Sequence, residues 1–304
     1  MKRRSFVKKS AIVTGGLFLT GNAFSQSTFF KKKKTKITIL HTNDTHSNIE
    51  PLPANHSKFP NMGGVSKRFE VIKAIRQQEE HVLLLDAGDV FQGTPYFNKY
   101  KGTLEMKLMS ELGYDAATMG NHDFDAGLDG FFMASEHAKF PFLCANYDFS
   151  QTILKDKTKP YSIFNKGNHT IGVFGIGIEL EGLVPASKFE KTIYQDPIKV
   201  ANEVAAKLKH EGCSIVICLS HLGFEYQTDK VSDKILAAKT SNIDLILGGH
   251  THTFLEKPIE VTNVEGSPVL INQVGWGGLH LGRIDVEITS ERSIFTKQKY
   301  VKVV

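Results

Sequence analysis

The sequence predicts an α/β sandwich with its functional site along one edge of the sheets. Three observations predict it. Short β-rich runs alternate with helical stretches from Ile37 onward, several strands are apolar throughout, and polar residues crowd at the strands' carboxyl ends. The 304-residue chain is 41% hydrophobic and 23% charged, an ordinary globular composition that excludes a disordered or fibrous protein.

Each element follows from its pattern. "KITILHT" is a strand, Val65–Gln78 has helical periodicity, and "HVLLLDAGD" is apolar enough to be a strand covered on both faces. Thr103–Leu112 reads as a helix, Asp115–Met119 as a short strand and Gly127–Ala138 as a helix. "FPFLCANYD", "YSIFNKG" and "TIGVFGIGIE" are further strands. "PIKVANEVAAKLKH" (Pro197–His210) is an amphipathic helix ended by Gly212, and it leads to the buried strand "CSIVICLSH". A helix near Ser232–Ala238 precedes the strand "NIDLILGGH". The tail, about Phe254–Val304, alternates polar and apolar residues like an antiparallel meander. Nothing between residues 37 and 304 marks a linker, so they read as one domain.

The net charge of +5 arises in the leader, where Lys2, Arg3, Arg4, Lys8 and Lys9 stand without an acidic residue among residues 1–25. The remainder is neutral, so a surface for a nucleic-acid polymer is not implied. A charged start, the apolar "AIVTGGLFLTG" and the small residues of "NAFSQS" describe an export signal, with cleavage expected after Ser25. Arg3-Arg4 followed by Ser5-Phe6-Val7-Lys8 looks like a twin-arginine signal, which implies export, to the periplasm, in the folded state. The apolar stretch is too short for a stable membrane anchor. Residues 26–36, with "FFKKKKTK", read as a basic linker. Cys144, Cys213 and Cys218 are odd in number and set in apolar runs, so they are expected to be buried free thiols.

Five polar clusters each follow an apolar strand: "HTNDTH" (41–46), "DAGD" (86–89), "GNHDFD" (120–125), "SHLG" (220–223) and "GGHTH" (248–252). Their Asp, Asn and His side chains suit divalent Zn, Mn, Fe or Co, and no thiolate is offered for a closed structural zinc site. Asp44/His46 and His250/His252 share an i, i+2 spacing, which in extended backbone puts both side chains on one side. Gly248 and Gly249 would let the chain turn sharply before the second pair. Any one cluster could be structural: a lone His is commonly a hydrogen-bonded core residue, and Asp125 could cap the helix that follows. Five in succession at strand ends point to a metal site. Asp86 and His41 are expected to orient its ligands, and Asp123 to hydrogen-bond within its loop.

The order and wording of these clusters resemble the calcineurin-like binuclear metallophosphoesterases. More narrowly, "HTNDTH", "DAGDVFQGTPYF", "MGNHDFDAG", "LCANYD", "SHLGF" and "LGGHTH" resemble the catalytic domain of exported bacterial 5'-nucleotidases. The resemblance implies a four-layer αββα sandwich holding two divalent metal ions at its edge. Asp44, His46 and His252 would bind one ion, Asn121, His221 and His250 the other, and Asp89 would bridge them. His122 would face the substrate as the acid or charge stabiliser, with Asn121 beside it, and Asp125 would orient and charge that imidazole. The implied activity is release of phosphate from a small phosphate ester, a nucleotide, by a hydroxide held between the ions. Phosphodiester, nucleotide-sugar and sulfur-ester hydrolysis are the chemical alternatives. Relatives of this type continue into a second domain that reads the nucleoside, whereas this sequence stops at Val304. A separate partner chain supplying that recognition is therefore the rival expectation, with Trp276 and Phe91 as local aromatic candidates.

Overall fold

The computed structural model describes residues 34–289 and 293–304. The expected signal segment and residues 26–33 of the linker lie outside the described residues, whereas Thr35 and Lys36 of that linker already belong to the first strand.

In chain order the first half comprises β1 (Thr35–Thr42), α1 (Val65–Gln78), β2 (Val82–Asp86), α2 (Pro95–Tyr100), α3 (Thr103–Leu112) and β3 (Ala116–Ala117). It continues with a 3-10 turn (His122–Phe124), α4 (Gly127–Ser135), β4 (Phe142–Leu143), β5 (Tyr147–Asp148), β6 (Thr158–Lys159) and β7 (Tyr161–Lys166). The second half comprises β8 (His169–Ile176), α5 (Ala186–Phe189), β9 (Ile193–Tyr194), α6 (Pro197–His210), β10 (Ile215–Ser220) and α7 (Asp233–Lys239). It ends with β11 (Leu245–Gly248), β12 (Ile259–Thr262), β13 (Pro268–Asn272), β14 (His280–Ile288) and β15 (Ser293–Lys302).

Two sheets hold most strands, in the orders β15-β14-β1-β2-β3-β4-β6 and β12-β13-β11-β10-β8-β7. The central pairings β1–β2, β2–β3, β8–β10 and β10–β11 are parallel, so their carboxyl ends share one edge of each sheet. Alternation inside the apolar strands builds the layers. Ile37, Ile39, Leu83 and Leu85 meet Ile215, Ile217, Leu219, Leu245 and Leu247 between the sheets. The intervening Leu40, Val82 and Leu84 pack outward on α1, α3 and α4, and Val216 and Cys218 pack outward on α6 and α7. Helices, sheet, sheet, helices is the expected four-layer order, and residues 34–304 form one compact unit. Each fully buried Leu or Ile contributes about 1.5–3 kcal/mol, so strands covered on both faces anchor the fold.

The helices at Val65–Gln78, Thr103–Leu112 and Pro197–His210 match their predicted spans. Asp196 starts α6 by accepting from the backbone N–H groups of Ile198 and Lys199 at 2.8 and 3.0 Å, with Pro197 in the first turn. The tail departs from a meander. β12–β13 is an antiparallel hairpin on the second sheet, whereas β14–β15 is a hairpin on the first, because β13 pairs parallel with β11 and β14 antiparallel with β1. Polar–apolar alternation fixes which face a strand buries, not which sheet it joins. The three cysteines are free and buried as expected. Among the described residues no helix is long and apolar enough to cross a membrane.

Candidate metal centre

The loops after β1 and β2 run side by side beyond the sheet. Asp44 N–H donates to Gly88 O at 2.9 Å, His46 N–H to Asp89 O at 3.0 Å and Ser47 N–H to Val90 O at 2.8 Å. Asp44, Asp89 and Asn121 thus come from the first sheet, and His221, His250 and His252 from the second. They gather into two triads, Asp44/His46/His252 and Asp89/His221/His250, whose candidate ligand atoms lie within 4.8 Å of one another inside each group. His46 Nε2 is 3.0 Å from His252 Nε2, and His252 Nε2 is 3.4 Å from Asp44 Oδ1. Asp89 Oδ2 lies 3.0 Å from His221 Nε2 and 3.8 Å from His46 Nε2, so this carboxylate faces both groups. Asn121 joins the second group through its side-chain oxygen, 2.8 Å from His250 Nδ1.

The backbone that achieves this is not extended. Asp44, His46, Asp89, His250 and His252 have φ of 50°, 45°, 56°, 74° and 52°, the left-handed region that non-glycine residues adopt at a cost. The i, i+2 spacing converges through curled loops, which the sequence pattern does not reveal. Gly120, Gly248 and Gly249 serve close approach rather than turning, since none has positive φ. A Cβ on Gly120 would lie 2.2 Å from Asp89 Oδ1, one on Gly248 2.1 Å from Asp233 Oδ2, and one on Gly249 2.8 Å from His221 Nδ1.

The donor set fits divalent cations. His221 Nδ1 donates to Ala87 O at 2.7 Å, so Nε2 is the ring nitrogen turned towards the carboxylates, where a proton or a metal cation can sit. That buried Nε2 lies close to Asp89 without the alignment of a hydrogen bond and has no other partner. His46 Nδ1 likewise meets Phe91 O at 3.2 Å, leaving its Nε2 beside another imidazole nitrogen. Facing lone pairs and carboxylates call for positive charge between them. The electrostatics agree. Burial would lower the His221 pKa, but Asp89 and Asp44 outweigh it and raise it to about 10. Burial would raise Asp89, but His221, His46 and His122 hold it well below the usual carboxylate range. Burial is the main cause that lowers His46, and it brings His250 down to about 4, which favours the uncharged imidazole a metal ligand needs.

His122 stands beside the first triad, its ring 5.3 Å from that of His46, with its side chain 38% exposed. Nδ1 contacts Asp125 Oδ2 at 2.8 Å, and this hydrogen bond is the main reason the imidazole pKa is raised. Asp125 makes no cap to α4, whose N-cap is Ala126, so its side chain serves the imidazole instead. Asp123, expected only to tie its own loop, is buried and accepts from the N–H groups of Gly120, Asp89, Val90 and Phe91 at 2.8–3.2 Å. It fastens the Asn121 loop to the Asp89 loop.

Asp86 accepts from Gly88 N–H at 2.9 Å and from Thr42 Oγ1 at 2.5 Å, so it shapes the Asp89 loop as expected. His41 does not orient a ligand: its Nε2 meets Asn272 Nδ2 at 3.0 Å between the sheets. Phe91 is not aromatic surface, being fully buried against Phe97 and Phe131. Trp276 is partly buried and lies 6.4 Å from His252, ring to ring. Gln273 belongs to none of the motifs, although it follows β13 as the other clusters follow their strands. It accepts from Thr251 Oγ1 at 3.0 Å and from Thr253 N–H, and donates to Gly249 O, bracing the His250–His252 loop.

Comparison with known proteins places this arrangement. A profile of the family described as calcineurin-like phosphoesterase matches residues 37–254. The chain is 34% identical over 282 residues to the 5'-nucleotidase of Bos taurus, which covers 86% of this chain and 48% of that protein. The structure of Haemophilus influenzae NAD nucleotidase superposes with a TM-score of 0.78 at 30% identity, over 88% of this chain and 50% of that one. A 5'-nucleotidase precursor from Thermus thermophilus gives the same score and identity, over 88% and 54% of the two chains. The chain spans about half the length of the curated relatives it matches. Paired sheets and a sequence match across most of the domain agree, and the chain belongs to the calcineurin-like phosphoesterase family.

Proposed function

We propose that the chain is a metal-dependent phosphomonoesterase of the 5'-nucleotidase type, acting on nucleotides after export to the periplasm. The observation that carries the reading is the Asp89 carboxylate facing two triads, with the His122–Asp125 pair beside them. On this reading Asp44, His46 and His252 hold one divalent cation, His221, His250 and Asn121 hold the second, and Asp89 serves both. Cations held there supply Lewis-acid polarisation of a phosphoryl group and activation of a water. His122, its proton retained by Asp125, binds a phosphoryl oxygen and delivers that proton to the departing alkoxide. Asp123 keeps Asn121 and Asp89 in register during the reaction. Similarity to 5'-nucleotidases supports nucleotides as the substrate class, and Arg3-Arg4 with the apolar segment after it supports export.

The test is hydrolysis of nucleoside monophosphates, cyclic nucleotides, a nucleotide sugar and a simple aryl phosphate by metal-reconstituted full chain, read by chromatography of the organic products together with free phosphate, because a diester yields no phosphate in its first step. Nucleoside 5'-monophosphates should be turned over fastest, and chelator should abolish release. Metal-loaded protein that hydrolyses none of them would overturn the assignment, and preference for a diester would move it to the diesterase alternative. Replacing Arg3 and Arg4 by Lys should retain the protein, uncleaved, in the cytoplasm.

A further inference from the structure

Beside the His46 loop two buried residues of opposite charge line one cavity, and neither the motifs nor the proposed chemistry uses them. Arg68 on α1 and Glu105 on α3 are both buried. Both line a cavity of about 20 Å³ together with Thr45, Ser47 and Asn48. Arg68 Nε and Nη1 and Glu105 Oε2 are buried without a hydrogen-bond partner in the protein. A cavity of this size accommodates a water, and charged groups taken from solvent require such a bridge. The other carboxylate oxygen of Glu105 accepts a hydrogen bond from Ser47 Oγ.

Ser47 directly follows His46. Its φ is 53°, and its hydroxyl and carbonyl are further bound by Thr94 Oγ1 at 3.1 and 2.8 Å. Asn48 Nδ2 donates to His46 O at 3.0 Å. The strained stretch that presents His46 is thus tied to Thr94 at the start of α2 and, through the Ser47 hydroxyl, to Glu105 on α3.

We propose that Arg68, a bridging water, Glu105 and Ser47 form a buried relay that positions His46 for metal, making Glu105 and Ser47 positioning residues of the Asp44/His46/His252 site. The relay rests on the reading that this triad holds a cation. Removing partners that orient metal ligands typically weakens the metal by about 10–100-fold. At φ 53° glycine is unstrained, so Ser47→Gly removes the hydroxyl while easing the backbone.

Calorimetric titration of the metal-stripped full chain with Mn²⁺ tests this. Ser47→Gly and Glu105→Gln should each weaken one of two binding events about tenfold and leave the other unchanged. The double variant should be no weaker than the worse single one, because both changes cut the same relay. His46→Ala should abolish that same event. If His46→Ala leaves both events intact, the metal reading fails rather than the relay. If Ser47→Gly binds Mn²⁺ like the parent, or weakens both events equally, the relay is overturned.

Discussion

The two halves of the candidate metal centre differ most in how they seat their histidines. His221 continues β10 and is fully buried, its orientation set by a single bond from Nδ1 to Ala87 O. The Asp44/His46/His252 half is carried on left-handed loops, with His252 41% exposed and its neighbours braced by Gln273, Asn43 and Ser47. Asp89 and His250 share the left-handed backbone, so the contrast lies in two histidines: His221 is seated at a strand end by packing, whereas His252 stands on a loop held by hydrogen bonds. The difference teaches that His221 should keep its place when residues around it are substituted, while His252 depends on bracing residues outside the candidate ligand set.

The largest effect is expected where the halves meet. Asp89→Ala should lower turnover on the order of a thousandfold and weaken both metal-binding events, as seen by calorimetry with phosphate release. Loss of only one event would mean that Asp89 belongs to one half alone. Next, His122→Ala should cut kcat by about 10²–10⁴-fold while both halves still load metal, which separates chemistry from metal retention. Replacing the two histidines in turn tests the contrast itself. His221→Ala leaves the buried Asp89 without its nearest cationic partner and should lower the Tm of metal-free protein by several degrees, whereas His252→Ala should lower metal affinity with Tm unchanged. Equal Tm losses would remove the distinction.

The smallest effect is a shift in pH dependence. The Asp125 hydrogen bond raises the His122 pKa, and a protonated acid is lost as pH rises through its pKa. Asp125→Asn should therefore move the alkaline limb of the kcat profile to lower pH, with metal content unchanged. Movement of the acid limb instead would make His122 a base.

Much of this was legible in the sequence. The apolar runs of β2, β10 and β11 announce strands covered on both faces, and the polar residues after them announce the edge where loops converge. The spans of α1, α3 and α6 follow from periodicity and caps. Contacts between distant segments were not legible. Asp123 reads as a turn residue until its four amide donors are seen to come partly from a loop more than thirty residues earlier. Glu105 and Arg68 occupy ordinary helical positions, and only their shared cavity sets them apart. His41 and Phe91 were misplaced because a motif shows that residues lie near a strand end, not which face they occupy.

The position of β1 carries a consequence for synthesis. Its neighbours are β2, some forty residues downstream, and β14, whose Ile288 pairs with Thr35. A nascent chain can form the β1–β2 pairing early, but the other edge of β1 stays open until β14 leaves the ribosome. The first sheet is therefore completed only after nearly the whole domain has been translated. The folding unit is accordingly the entire domain, neither sheet nor half, and a chain shortened before His280 leaves β1 with one edge unpaired.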